Sequence, residues 1–311
     1  MAARATRSAS RKTRNAAAVA TGPLGALSHD ELGVIVDGLA DPLQPVVAVA
    51  LSSTCLGLRT PLQAALKVLK ERHTRVAAFL CRNGFVGYTS CAELRGAEKL
   101  FWSCHLVADH YAATLGMILR TNGLPCLQEL YLGGSGFGDA GVQALCEGLG
   151  RGAAPSLHTL VLDGFSFNKF GPAGAEALAT ALRRGAFPKL ELLDLQGNPI
   201  GNQGVAALAA PLRKLPALET LFLWDCCEIG DEGVASLVDN LGKDDFKALD
   251  ELCIDSNKIT DAGMAKLLAA LDAGGLPKLV NQPYLLDENP ASAVAVEAVH
   301  EALVKRGAPV G

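Results

Sequence analysis

One stretch of the sequence, residues 190–212, constrains the fold more than any other, because much of the chain copies it. It reads LELLDLQGNPIGNQGVAALAAPL. Its apolar residues alternate at first and then recur at every third or fourth position, which predicts a short strand that turns through Asn198 and continues as a helix. The same frame returns at intervals of 28 to 33 residues. Because one such unit cannot bury its own apolar face, the pattern predicts a stacked array.

Five clear copies of this unit fill residues 127–271. Degenerate copies flank them, one around Leu100 and Trp102 and one around Tyr284 and Leu286, followed by a final helix. The terminal repeats of a stack face water, so erosion at both ends is expected. The five clear frames begin at Leu127, Leu157, Leu190, Leu218 and Leu249. The array is therefore predicted to span residues 97–304.

The recurring positions of the frame have physical reasons. The leucines point inward, and each fully buried side chain stabilises the stack by roughly 1.5–3 kcal/mol. Asparagines after the strands can satisfy the backbone groups that are freed where a strand ends. Acidic residues two positions before the frame glycine are predicted to cap the helix that follows. The asparagines are Asn168, Asn198, Asn257 and Asn289, and the acids are Asp139, Asp231 and Asp261.

This pattern resembles the leucine-rich repeats of the ribonuclease-inhibitor type, which alternate a strand and a full helix in units of about 28 residues. The resemblance covers roughly two thirds of the chain. It implies an α/β leucine-rich-repeat solenoid, in which a curved parallel sheet lines the concave face and helices form the convex face.

Alternate strand residues of such a solenoid point out of the concave face. At these positions Phe222 and Trp224 lie on one strand, and acidic residues surround them. Aromatic anchors with an acidic rim are typical of protein-binding hot spots, so we predict a partner with a basic or apolar patch. The alternative is that a neighbour covers Trp224 and that the acids form a solvated face. The predicted binding residues are Glu129, Tyr131, Asp163, Asp194, Phe222, Trp224, Asp225, Glu251 and Asp255.

The first 22 residues contain five basic residues and no acidic one. With no hydrophobic anchor, residues 1–22 are predicted to be a disordered basic tail. An organelle transit peptide and a nuclear-import signal are alternatives. Apart from the transit-peptide alternative, the expected location is cytoplasmic or nuclear.

Residues 24–80 have helical periodicity interrupted by Pro42, Pro45 and Pro61, which predicts a small module of short helices. The segment LSHDELGVIVDGLADP resembles an F-box, the helical module that docks onto the Skp adaptor of a cullin ubiquitin ligase. Ser28 and His29 depart from the Leu-Pro start that this family prefers. The alternative is a helical cap that shields the first repeat. The resemblance implies adaptor-binding positions at Leu27, Leu32, Ile35, Leu39, Pro42 and Leu51.

Composition argues against several other classes of protein. A net charge of −4 does not favour nucleic-acid binding, and no apolar run is long enough to span a membrane. The nine cysteines form no CxxC pair and the six histidines show no metal-ligand spacing. The glycine-rich segment 133–141 lacks the Lys-Ser/Thr of a phosphate-binding loop. We therefore expect no metal, no cofactor and no catalytic residues, and the chain is predicted not to be an enzyme.

Together these features predict a protein–protein interaction adaptor, in which an F-box-like module recruits a target held on the concave repeat face to a cullin ubiquitin ligase. One alternative is a GTPase regulator, because Ran GTPase-activating proteins share this repeat type. That family uses an arginine near the start of the array, where this chain has Arg82, Arg95 and Arg120. Another alternative is a plain repeat scaffold, or a fragment of an immune-receptor-like array.

Overall fold

The computed structural model describes residues 67–71, 74, 91–101, 109–121, 123–147, 149–164, 168–226, 228–281 and 285–307. The chain divides into two compact units, and the described residues from Glu93 onward belong to the second. The predicted basic tail and the six predicted adaptor-binding positions lie outside the described residues. Of the predicted module at 24–80, the structure describes residues 67–71 and 74, which are helical.

Six short strands alternate with helices along the described part of the second unit. The strands are β1 (Lys99–Phe101), β2 (Glu129–Tyr131), β3 (Thr159–Val161), β4 (Leu192–Asp194), β5 (Thr220–Phe222) and β6 (Glu251–Cys253). The helices are α1 (Cys91–Arg95), α2 (Asp109–Arg120), α3 (Asp139–Cys146), α4 (Pro172–Arg183), α5 (Gly201–Arg213), α6 (Asp231–Val238), α7 (Asp261–Asp272) and α8 (Ala293–Gly307).

The six strands form one parallel sheet in chain order. Every pair has the same register, so that Leu160 lies opposite Leu193 and Leu193 opposite Leu221. The central residue of each strand points inward and is almost fully buried, as Leu160 at 1% and Leu193 at 0% exposure illustrate. This architecture confirms the predicted fold class, an α/β leucine-rich-repeat solenoid.

The spacing of the two layers determines which face of the array is concave. Neighbouring strands lie about 4.8 Å apart, whereas packed helices need about 8–10 Å between their axes. The larger helical spacing curves the stack toward the sheet, which therefore lines the concave face. Each helix packs mainly on the next one in the sequence, from α2 through α8.

Asparagine side chains join consecutive repeats where the strands end. The Nδ2 of Asn198 donates to the carbonyl of Leu195 in its own repeat, at 3.0 Å, and to that of Leu162 in the preceding one, at 2.9 Å. Asn168, Asn257 and Asn289 make equivalent pairs of bonds. These contacts agree with the predicted role of the asparagines and add the connection between repeats.

The repeat that starts at Leu218 has Cys226 in place of this asparagine. The residue is fully buried, and its thiol donates to the Leu195 carbonyl of the preceding repeat at 3.2 Å. A buried cysteine commonly acts as a small apolar filler. The thiol of Cys226 instead keeps the inter-repeat bond of the asparagine, while Cys227 lies outside the described residues.

The prediction for the acidic residues before the frame glycines was wrong in one respect. Asp231 does not cap its own helix, α6, because its carboxylate reaches across to the start of α7 in the next repeat. Its Oδ1 accepts from the backbone N–H of Thr260 at 2.8 Å and of Gly263 at 2.9 Å. Asp139, Asn202 and Asp261 reach the following repeat in the same way. Each of these side chains therefore caps a neighbouring helix, which adds a second set of inter-repeat bonds.

This arrangement explains the frame glycines Gly233 and Gly263. A Cβ on Gly263 would lie 2.5 Å from the Asp231 Oδ1 that accepts its N–H, and 2.6 Å from the Ile259 side chain. A Cβ on Gly233 would lie 2.7 Å from the Asn202 Oδ1. Glycine is needed because the capping oxygen of the preceding repeat occupies the space of a side chain.

We predict that Gly263→Ala lowers the free energy of unfolding by about 1–3 kcal/mol, because the added methyl group overpacks the site of the Asp231 cap. Urea unfolding followed by circular dichroism measures the effect.

Gly138→Ala is the matched control. Gly138 precedes α3 with φ −92°, and no atom lies within 4 Å of the position that its Cβ would take. We expect it to be nearly neutral. Equal destabilisation by both variants would contradict the proposed steric role of Gly263.

Candidate functional site

The outward-facing residues of the sheet form three rows along the array, which we call the sheet face. The in-phase register aligns the first two rows strand by strand. The third row follows the strands and is aligned by backbone bonds such as Gly197 N to Trp224 O. The first row is Lys99, Glu129, Thr159, Leu192, Thr220 and Glu251. The second is Phe101, Tyr131, Val161, Asp194, Phe222 and Cys253, and the third is Gly133, Asp163, Gln196, Trp224, Asp255 and Asp287.

Eight of the nine predicted binding residues lie in these rows. The ninth, Asp225, is exposed at the turn after Trp224 and has a left-handed backbone with φ 48°. Their placement follows from the period of the repeat, and their role in binding stays a prediction.

Phe222 and Trp224 lie two residues apart, at the end of β5 and just beyond it. Both are half-buried, so their neighbours cover part of each ring and leave part of each exposed. Because Asp194 is the register partner of Phe222, the aromatic pair lies next to a carboxyl group. The exposed area of the two rings gives the sheet face an apolar patch with acids around it.

A second aromatic group lies at the other end of the sheet face. The rings of Phe101 and Tyr131 stack with their centroids 4.5 Å apart and their planes at 10°. Phe101 is 52% exposed. The sequence pattern did not indicate Phe101, because the first repeat is degenerate and matches the frame only at its inward residues. The outward position next to Leu100 was the signal that could have identified it.

Glu129, a predicted member of the acidic rim, is paired within the chain. Its carboxylate forms an ion pair with Lys99 at 2.7 Å and accepts a hydrogen bond from the Tyr131 hydroxyl at 3.0 Å. The hydrogen bond from Lys99 lowers the pKa of Glu129 against the opposing effect of burial. Glu129 therefore contributes less uncompensated negative charge than the sequence suggested.

Asp194 differs from the other acids of the sheet face because it is buried, with an exposure of 6%. Its neighbours across the strands are Val161 and Phe222. Its Oδ1 accepts from the backbone N–H of Gln196 at 3.0 Å, and its Oδ2 accepts from the Gln196 Nε2 at 2.9 Å. Burial and the charge of Asp163 raise its pKa to about 7, despite the hydrogen bonds from Gln196. Burial therefore distinguishes Asp194 from the exposed acids expected of a rim, and its role in binding stays a prediction.

The far end of the sheet face is also acidic. Burial and the nearby acids Glu288 and Asp287 raise the pKa of Asp255. Burial, Glu251 and Asp255 raise the pKa of the Cys253 thiol to about 12. Because a thiol with so high a pKa stays protonated, Cys253 is not an activated nucleophile.

Among the described residues, no group of three or more His, Cys, Asp or Glu side chains could hold a metal ion. No helix within the described ranges is long and apolar enough to cross a membrane.

Three segments of the chain match the family described as Leucine Rich repeat, at residues 123–146, 188–209 and 218–238. No curated protein matches the chain. The matched segments contain β2, β4 and β5, all of α3 and α6, and the first part of α5. The chain therefore carries leucine-rich repeats, and such domains generally mediate protein–protein interaction. The match extends neither to the ribonuclease-inhibitor subtype nor to the F-box-like segment, which stay predictions.

We predict that the free energy of unfolding depends on pH through Asp194. Its pKa in the folded chain lies above the value of about 3.9 for an unfolded aspartate, so the folded state binds an additional proton between about pH 4 and pH 7. Stability from this group is therefore lost as the pH rises through that range. Asp194→Asn should be more stable than the wild type at pH 8, by on the order of 1–3 kcal/mol, and the difference should shrink toward pH 5.

Urea unfolding at pH 5 and pH 8 measures this difference. Asp225→Asn is the control, because it makes the same chemical change at an exposed acid of the same surface. A gain in stability that is equal at both pH values would argue against a buried, proton-binding Asp194.

Proposed function

We propose that this protein is an interaction adaptor that holds a protein partner on its sheet face, with Phe222 and Trp224 as the anchors. The observation that carries the proposal is a partly exposed aromatic pair on a sheet whose nearby charged side chains are mostly acidic. Tryptophan is among the residues most enriched at binding hot spots.

The rigidity of the sheet favours such a role. The Trp224 carbonyl accepts a hydrogen bond from the Gly197 N–H at 3.1 Å, which ties the end of β5 to the neighbouring repeat. The next turn is held by Asp225 N, which donates to the Asp255 carbonyl at 3.2 Å. Since these backbone positions are fixed before a partner arrives, little conformational entropy is lost on binding.

The charges of the sheet face favour a partner with a basic patch. The acids Asp163, Asp194, Glu251, Asp255 and Asp287 lie in its rows. The basic residue in the described rows is Lys99, which is already paired with Glu129. Complementary charge speeds association and improves discrimination between partners. We therefore infer a partner that presents basic side chains around an apolar centre.

We also propose a role for residues 24–80. The resemblance to an F-box supports a role as a docking module for a Skp-type adaptor, through positions such as Leu32, Ile35 and Leu39. In that role the chain would bring its partner to a cullin ubiquitin ligase, and the other subunits of the complex would carry out the ubiquitin chemistry.

A partner can be identified by cross-linking of the full chain. We predict that Trp224→Ala weakens the binding of this partner by about 2 kcal/mol, because the central anchor is lost. Isothermal titration calorimetry measures the change, and circular dichroism checks the fold.

Val304→Ala is the control for this experiment, since Val304 is an apolar residue on α8 that is 56% exposed, outside the sheet face. It should leave the affinity unchanged. Wild-type affinity in Trp224→Ala would contradict the anchor role.

The ligase role is tested by co-purification with a Skp-type adaptor. We expect the full chain to capture the adaptor, deletion of residues 24–65 to abolish capture, and Trp224→Ala to leave it intact. No capture, or capture that survives the deletion, would exclude the F-box role and leave the sheet-face proposal standing. Accelerated GTP hydrolysis by a Ran-type GTPase would favour the regulator instead.

A further inference from the structure

We propose that the partner places a lysine or arginine side chain against Asp194 and that binding expels the proton held by this carboxyl group. This inference rests on the proposed function and deepens it. It specifies one contact point on the sheet face, the chemistry of the group that fills it, and the response of the complex to pH.

The placement of the carboxyl group is one reason for this inference. Asp194 is 6% exposed and lies between Val161 and Phe222 in the second row. An ionised carboxylate among apolar neighbours is destabilised unless a positive charge compensates it. Within the described residues, no lysine or arginine forms an ion pair with Asp194. In the described part of the chain, the group therefore has no cation to compensate its ionised form.

The hydrogen bonds of Gln196 also point to a missing donor. Its Nε2 donates to Asp194, whereas its Oε1 is buried without a hydrogen-bond partner. A buried acceptor that stays unpaired is costly and uncommon in folded proteins. Asp194 and Gln196 together thus have more acceptors than donors, and an additional donor is needed to complete the site.

Two kinds of donor can complete it. A proton on Asp194 can donate to the Gln196 Oε1 after the amide group rotates, which pairs this oxygen without a partner protein. A lysine ammonium or arginine guanidinium can instead donate to the ionised Asp194 carboxylate and to the Gln196 Oε1 at once. The two states exclude each other, because the cation replaces the proton.

The groups around Asp194 favour the protonated state in the free chain. Asp163 approaches from the β3 side and Cys253 from β6, while the β5 positions from Thr220 to Trp224 carry no titratable side chain. Among the described residues, the charge that raises the pKa of Asp194 is the negative charge of Asp163, since the Cys253 thiol stays neutral. In keeping with this geometry, its pKa of about 7 leaves the group partly protonated at neutral pH.

The adjacent rings suit a long basic side chain. Phe222 is the register neighbour of Asp194, and Trp224 follows two residues later in the next row. A lysine or arginine stem can pack on the exposed part of these rings while its charged head reaches the carboxylate. The aromatic anchors and the buried acid then form one contact point rather than two.

The sign of the pH dependence follows from this exchange. A cation from the partner lowers the pKa of Asp194, so binding releases a proton and the affinity rises with pH. For a group that titrates near pH 7, the ionised fraction rises about tenfold between pH 6 and pH 8, and the affinity can rise by the same factor. An apolar contact over Asp194 would instead make the affinity fall as the pH rises, because it would favour the protonated form.

The test uses the full chain and a fluorescein-labelled octa-arginine peptide, whose side chains do not titrate in this range. Fluorescence anisotropy gives the Kd at pH 6 and pH 8 at constant ionic strength. We expect roughly tenfold tighter binding at pH 8 for the wild type and no pH dependence for Asp194→Asn. Asp287→Asn, which alters an exposed acid of the third row, should weaken binding at both pH values and keep the wild-type ratio.

The other outcomes separate the two proposals. Binding that is independent of pH, or tighter at pH 6, would overturn the proton exchange while leaving the basic-partner proposal intact. Retention of the tenfold ratio in Asp194→Asn would assign the proton to another group and overturn the inference as well. Absence of binding at both pH values would instead refute the basic-partner proposal on which the inference rests.

Discussion

The structure depends on side-chain hydrogen bonds that cross from one repeat to the next, of which the Asn198 amide is the clearest example. This side chain is fully buried, and its Nδ2 links the carbonyls of Leu162 and Leu195 in consecutive repeats. Without it, two strand-end carbonyls would lose a donor in a region closed to water, at a cost of about 1–3 kcal/mol for each unsatisfied group. The bond also fixes the phase between repeats, which places the leucines of one strand over those of the next.

A second set of bonds braces the helical side of the stack. Asp231 accepts from Thr260 and Gly263 at the start of the following helix, and the glycine leaves room for the carboxylate. The two sets hold each unit at both the end of its strand and the beginning of its helix. The alignment of the repeats also determines which outward residues are neighbours on the sheet face. The register that stacks the leucines places Asp194 between Val161 and Phe222.

The period of the sequence predicted everything that repeats, including the strands, the inward leucines and the outward rows that contain Phe222 and Trp224. It could not predict contacts between unlike residues of neighbouring repeats. The Asp231 carboxylate was assigned to its own helix, because spacing alone does not say which helix N-terminus a side chain reaches. The burial of Asp194 and the stacking of Phe101 on Tyr131 likewise depend on what lies across the strand. These are also the features that distinguish this sheet face from a generic array.

Hydrogen exchange of Asn198→Ala tests most directly whether bonds between repeats set the shape of the sheet face. Loss of the amide should speed exchange at backbone N–H groups on both sides of the repeat boundary, such as Leu162 N, which donates to Asp194 O, and Leu195 N, which donates to Phe222 O. Exchange at the distant Ser256 N–H, which donates to the Asp287 carbonyl, should change little. Faster exchange confined to the turn around residue 198, with both flanking strands protected as in the wild type, would contradict the account.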